Sequence, residues 1–134
     1  MARKETFITI DANGRDQGKV FYIKEMAASQ AEWWAMRALM AMGRGGVDIP
    51  DNLRSMGMAA MAVEGLKAVS KIPPEEARPL LEELMMCVQA VPNPADKSVV
   101  RPLIESDIEE VATRLNLRAE VFKLHVDFFA TAGR

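Results

Sequence analysis

Apart from two short runs near the start, the apolar residues of this chain recur at helical intervals, and that change of period bounds its architecture. Thr6 to Ile10 and Lys19 to Ile23 are rich in Thr, Ile, Val and aromatics, which suits half-buried strands. Asp11 to Gly18 between them is dense in residues that tolerate positive φ, so the pair is expected as a β-hairpin with a fairly long loop. Asp11, Asn13 and Gly14 sketch a calcium loop, but the glycine stands two places early and Tyr22 occupies the place of the bidentate glutamate. A turn is the better assignment.

From Ser29 onward the spacing is helical. Ser29 and Glu32 have capping-box spacing, and Gly43, Gly45 and Gly46 stop the first helix near Arg44. Trp33, Met36, Leu39 and Met40 fall on one side of it, Trp34, Ala38 and Met42 on another. A helix apolar on two sides is either central to a core or covered by a partner. A second helix is expected over 51–70, with Leu53, Met56, Ala60 and Val63 in register and thin positions at Gly57 and Gly65. Pro74 opens a third and Pro79 should break or kink it. Its stripe of Leu80, Leu81, Leu84, Met85, Val88 and Val91 runs to Pro92. Residues 92–97 form a loop, and Val99 to Ile104 suggests a short extended piece, with Pro102 arguing for an edge or for no strand at all. Ser106 and Glu109 offer a second capping box before the C-terminal helices, which carry Ile108, Val111 and Leu115, then Val121, Leu124 and His125.

At 134 residues this is a single domain, 1–134, with a hairpin region over 1–26 and a helical region over 27–134. The expected class is α+β, mostly α: an N-terminal β-hairpin packed on a bundle of four to five helices. About two-thirds of the extended chain's surface would be buried at this size, a sufficient core without staples. One cysteine excludes an internal disulfide, and one cysteine with one histidine excludes a Cys/His zinc site. A net charge of −2 supplies no field for gathering phosphates, which disfavours nucleic acid as a partner. The start carries no long apolar run, so neither export nor a membrane span is expected.

No enzymatic signature emerges. Cys87 and His125 are the only candidates for a nucleophile–base pair, and each sits in an amphipathic stripe that explains it as core. Glu75/Glu76, Glu82/Glu83 and Glu109/Glu110 are adjacent on helices and so point about 100° apart, away from any shared proton or metal. Gly43 to Gly46 lacks the preceding strand and the Gly-Lys-Ser/Thr ending of a phosphate loop. Residues 108–123 outline a helix-turn-helix with its turn at Asn116 and a reading helix offering Arg118, Glu120 and Lys123. Those charges nearly cancel, so a small DNA-binding regulator stands only as the alternative function.

Ten methionines against eight aromatics is the compositional anomaly. Met36, Met40, Met42, Met56, Met58 and Met61 fall on the first two expected helices, beside Trp33 and Trp34. Thioether side chains repack around irregular apolar partners, which suits either a surface that holds varied segments or a core filled with Met in place of Leu. Candidate partner-binding residues are therefore Trp33, Trp34, Met36, Met40, Met42, Met58 and Met61. An unpaired hairpin edge and the apolar excess of the first helix also suggest self-association.

Whole phrases carry a resemblance. Lys4 to Ile10, Gly14 to Lys19, Ile23 to Met26, Gln30 to Ala38, Gly46 to Pro50, Cys87 to Pro92, Val100 to Glu105 and Ile108 to Leu115 together resemble the tail assembly chaperones of long-tailed bacteriophages and prophages. The resemblance implies a non-enzymatic protein without cofactor. It would coat the long, aggregation-prone tape-measure protein in the host cytoplasm, give way as the major tail protein polymerises, and be absent from the mature virion. Many such families also make a frameshifted, longer form that recruits the tail-tube subunit. No residue-level motif is carried over with the resemblance.

Overall fold

The computed structural model describes residues 3–46, 67 and 70–132. Four strands form one antiparallel sheet in the order β1 (Glu5–Thr9), β2 (Val20–Lys24), β3 (Val88–Val91) and β4 (Arg101–Pro102). Three helices accompany it: α1 (Ala28–Gly45), α2 (Pro74–Met85) and α3 (Val111–Ala132). The expected bundle of four to five helices is therefore wrong. Among the described residues the architecture is a four-stranded sheet with three helices, and half of its strands come from the region expected to be helical.

The hairpin forms as expected, with Phe7 opposite Tyr22 and Ile8 opposite Phe21. Its loop closes through Ile10 N–H to the Lys19 carbonyl at 2.9 Å and Gly18 N–H to the Ile10 carbonyl at 2.8 Å. Gly18 sits at φ 87°, where a side chain would be strained. The largest departure follows α2. The apolar stripe expected to continue as helix to Pro92 breaks at Met85, and Val88–Val91 turns into a strand pairing with β2, Val20 opposite Val91 and Ile23 opposite Val88. A four-residue buried strand reads as an apolar run and so cannot be told from a helical stripe by period. β4 is the short edge that Pro102 allows.

Helix ends also differ from local expectation. α1 begins at Ala28 with Ala27 as its N-cap and no side-chain cap, so Ser29 lies inside the first turn. Its C-terminus agrees, since Gly46 at φ 71° closes it in the left-handed conformation. α2 runs through Pro79. α3 is continuous across Asn116, so the helix-turn-helix has no turn. Of the expected helix over 51–70, all but Lys67 and Ser70 lie outside the described residues.

Ile23, Leu117 and Val121 are fully buried, and Phe21 nearly so, in one cluster with Ile10, Met26, Leu84, Met85 and Val88. That cluster joins the sheet to α2 and α3. The start of α3 is held by the hairpin loop, through Asp16 at 1% exposure. Its carboxylate accepts from Glu109 N–H at 2.9 Å, Glu110 N–H at 2.8 Å and Lys19 Nζ at 2.9 Å. Arg15 adds Nε to the Glu110 carboxylate at 2.8 Å and a bond to the Glu109 carbonyl at 2.8 Å. Burial alone would raise the Asp16 carboxyl, but donation by Lys19, the Glu109 N–H, the Thr113 hydroxyl and the Glu110 N–H outweighs it and holds the group well below the carboxylate range.

A depressed folded-state value stabilises above the unfolded one and is lost as pH falls through the folded one. Asp16→Asn should therefore lower unfolding free energy by about 3 kcal/mol at pH 7, within the range for breaking a buried, hydrogen-bonded charge. The gap to wild type should narrow below about pH 4, where the unfolded carboxylate protonates. Urea titrations at pH 7 and pH 3 check both statements.

Candidate functional site: the outer face of helix α1

α1 is anchored on one side by directional contacts to α2. Trp34 Nε1 donates to the Leu80 carbonyl at 2.9 Å, and the Arg37 guanidinium grips Glu83 through two bonds of 2.6 Å. Arg44 pairs with Glu76 at the far end. Between these polar ties, Ala38 and Ala41 pack on Leu80, with Met42 and Ile72 at the margin. Small side chains at 38 and 41 permit the close approach that makes the ties short. The Glu83 hydrogen bonds, and then its charge, keep the Arg37 guanidinium above its ordinary value against the cost of burial. The entry to α1 is fixed from α3: His125 Nε2 accepts from Met26 N–H at 2.9 Å, while its Nδ1 lies 2.8 Å from the Val121 carbonyl. Since a backbone N–H can only donate, Nδ1 carries the proton and both ring nitrogens are committed.

The opposite side of α1 is apolar and uncovered among the described residues. Trp33 is 57% exposed, Met36 50%, Leu39 47% and Met40 45%. Positions 33, 36, 40 and 43 follow the 3,4 spacing of a single helix face, and Gly43 leaves open space at its end. The Arg37 guanidinium stands 5.6 Å from the Trp33 ring centroid, so one flank of the stripe carries a cation already held by Glu83.

The candidate residues thus divide. Trp33, Met36 and Met40 share the exposed face. Trp34 is half-buried, tied to Leu80 and set against Phe122 with ring centroids 6.3 Å apart. Met42 is half-buried against the α1–α2 contact. Trp34 and Met42 serve the anchor. Met58 and Met61 lie outside the described residues. Leu39 belongs to the exposed face as well, on the side where helical spacing groups it with Trp33, Met36 and Met40, though it was not among the candidates.

The other chemistry-bearing side chains are committed elsewhere. Burial, with Glu83 adding to it, pushes the Cys87 thiol up to about 11, and its Sγ points to the Glu83 carbonyl at 3.8 Å. That thiol is protonated at neutral pH and a poor nucleophile. Among the described residues no group of three or more His, Cys, Asp or Glu converges as metal ligands. No helix of the described residues is long and apolar enough to cross a membrane. In comparison with known proteins, no family model, curated protein or solved structure matches the chain.

Trp33→Ala and Met36→Ala should each shift stability by no more than about 0.5 kcal/mol, as exposed truncations do. Trp34→Ala should cost about 3 kcal/mol, through the lost indole packing and the lost Nε1 bond to the Leu80 carbonyl. Chemical denaturation of the three variants measures the difference.

Proposed function

We propose that the chain is a non-catalytic phage tail assembly chaperone whose client, the tape-measure protein, docks on the exposed face of α1. The observation that carries this is the pairing of a pinned helix with an apolar stripe left uncovered among the described residues. A helix held by an ion pair, an indole bond and a close alanine contact can leave its other face open without losing its position. Trp33 supplies a broad rigid surface, while Met36 and Met40 adapt to whatever lies against them. An amphipathic helical client would fit such a stripe by its own i, i+3, i+4, i+7 side chains. The resemblance to tail assembly chaperones supports the identity of that client, the major tail protein as a second partner, and the host cytoplasm as the place of action. Continuity of α3 through Asn116 removes the main support for the DNA-binding alternative.

Co-expression with the neighbouring tail genes tests the proposal. Wild-type chain should co-purify with the tape-measure protein and keep it soluble. The triple variant Trp33→Ala, Met36→Ala, Met40→Ala should fold normally and lose that client. Normal retention by the folded triple variant would move the client site elsewhere.

Self-association belongs to the same proposal, because a coat along an extended client is built most simply from repeated contacts between copies. Among the described residues β1 pairs only with β2 and leaves its outer edge for another strand. Light scattering across a concentration series should show growing oligomers. A strict monomer at high concentration would refute this part.

A further inference from the structure

A second surface lies on the side of α2 turned away from α1. There α2 and α3 border an open cleft of about 380 Å³, with Ile72, Ala77 and Leu81 among its lining and Arg78, Arg114 and Arg118 at its polar side. Arg118 is half-buried, and its Nε donates to the Leu81 carbonyl at 3.2 Å. No carboxylate among the described residues pairs with Arg118 or with Arg114. Glu82, the acidic residue lining the cleft, is already held by Arg78 at 2.9 Å. Two guanidinium groups one helical turn apart therefore face an apolar floor without an anion between them. Burial, and then the charge of Arg114, pull the Arg118 guanidinium below its ordinary value, with Glu82 only partly opposing. A positive pair of this kind stands out in a chain of net charge −2.

We infer that this cleft binds an acidic amphipathic peptide segment, seating a carboxylate between Arg114 and Arg118 and an apolar side chain on Leu81 and Ile72. Guanidinium forks match carboxylate geometry and keep their charge when partly desolvated. The volume is at the lower end for a ligand site and fits a few side chains of a segment laid across the opening. The apolar floor needs a greasy neighbour to the carboxylate, which a polyanion does not supply. Glu82 in the cleft repels a phosphate chain, and the weak overall charge gives such a chain no long-range attraction. This surface is separate from the outer face of α1, so the inference stands independently of the chaperone proposal.

The test uses the full chain and a fluorescein-labelled helical peptide with Leu along one face and Glu along the other. A control peptide carries Gln in place of Glu. Anisotropy at low salt should show the Glu peptide binding at least about tenfold tighter, with the advantage shrinking as salt screens the pair. Arg114→Gln, at an exposed position, should remove most of that advantage and leave the circular dichroism melt unchanged. Arg118→Gln should do the same, and if it fails to fold, the Arg114 variant decides alone. Trp33→Ala should leave the Glu–Gln difference intact. Equal affinity for the two peptides, full retention by Arg114→Gln, or displacement by a DNA duplex at lower concentration than by unlabelled peptide would each overturn the inference.

Discussion

A carboxylate at 1% exposure is costly unless its oxygens are answered, and Asp16 has its oxygens answered from three directions. Two donors are backbone N–H groups at the threshold of α3, one is Lys19 of its own loop, and Thr113 adds a hydroxyl one turn into the helix. The hairpin loop thus does from a distance what a local Ser or Asp does at most helix starts: it answers orphan N–H groups and sets negative charge at the positive end of the dipole. Lys19 Nζ reaches on to the Asp107 carbonyl at 2.9 Å, and the Asp107 carboxylate grips Arg101 of β4 through bonds of 2.7 and 2.8 Å. Loop, strand edge and helix start are one polar unit. With α3 placed, Leu117 and Val121 meet Phe21 and Ile23, and His125 reaches Met26 to fix where α1 begins.

That dependence explains which parts of the fold were legible in the sequence. The hairpin, the glycine stop of α1 and the edge character of Val99 to Ile104 rest on local backbone preferences, and local residues report them. β3 rests on the unpaired side of β2, which no window around Val88 contains. Ser29 and Ser106 had the right spacing for caps, yet α1 starts without a side-chain cap and the approach to α3 is bonded by Asp16 from the hairpin loop. Asn116 looked like a turn because it interrupts two amphipathic stretches, but Leu117 beneath it is fully buried and keeps the helix continuous.

The candidate site was legible in its residue types and not in its division. Helical period groups Trp33 with Met36 and Met40, and Trp34 with Met42, but cannot say which group meets α2. The choice is made by Arg37 and Arg44, whose partners Glu83 and Glu76 lie on α2, a helix start and a proline pair away in sequence. Of the cleft's arginines only Arg118 was singled out, as part of a reading helix. Its meaning depends on Leu81 and Ile72 coming alongside Arg118, a tertiary fact.

α2 is the element on which both surfaces depend. Glu76, Leu80 and Glu83 face α1, while Ala77, Arg78, Leu81 and Glu82 line the cleft shared with α3. A helix of 12 residues carrying two such faces has little freedom to tilt toward one neighbour without opening from the other. Arg37 and Arg118 make that constraint directional, since each reaches α2 through hydrogen bonds whose strength falls steeply with misalignment. A partner that pries α1 from α2 would therefore also disturb the Leu81 carbonyl that steadies Arg118, and a segment seated in the cleft would resist that motion. Both surfaces are thus built on one helix, held on one side through Glu76, Leu80 and Glu83 and on the other through the Leu81 carbonyl.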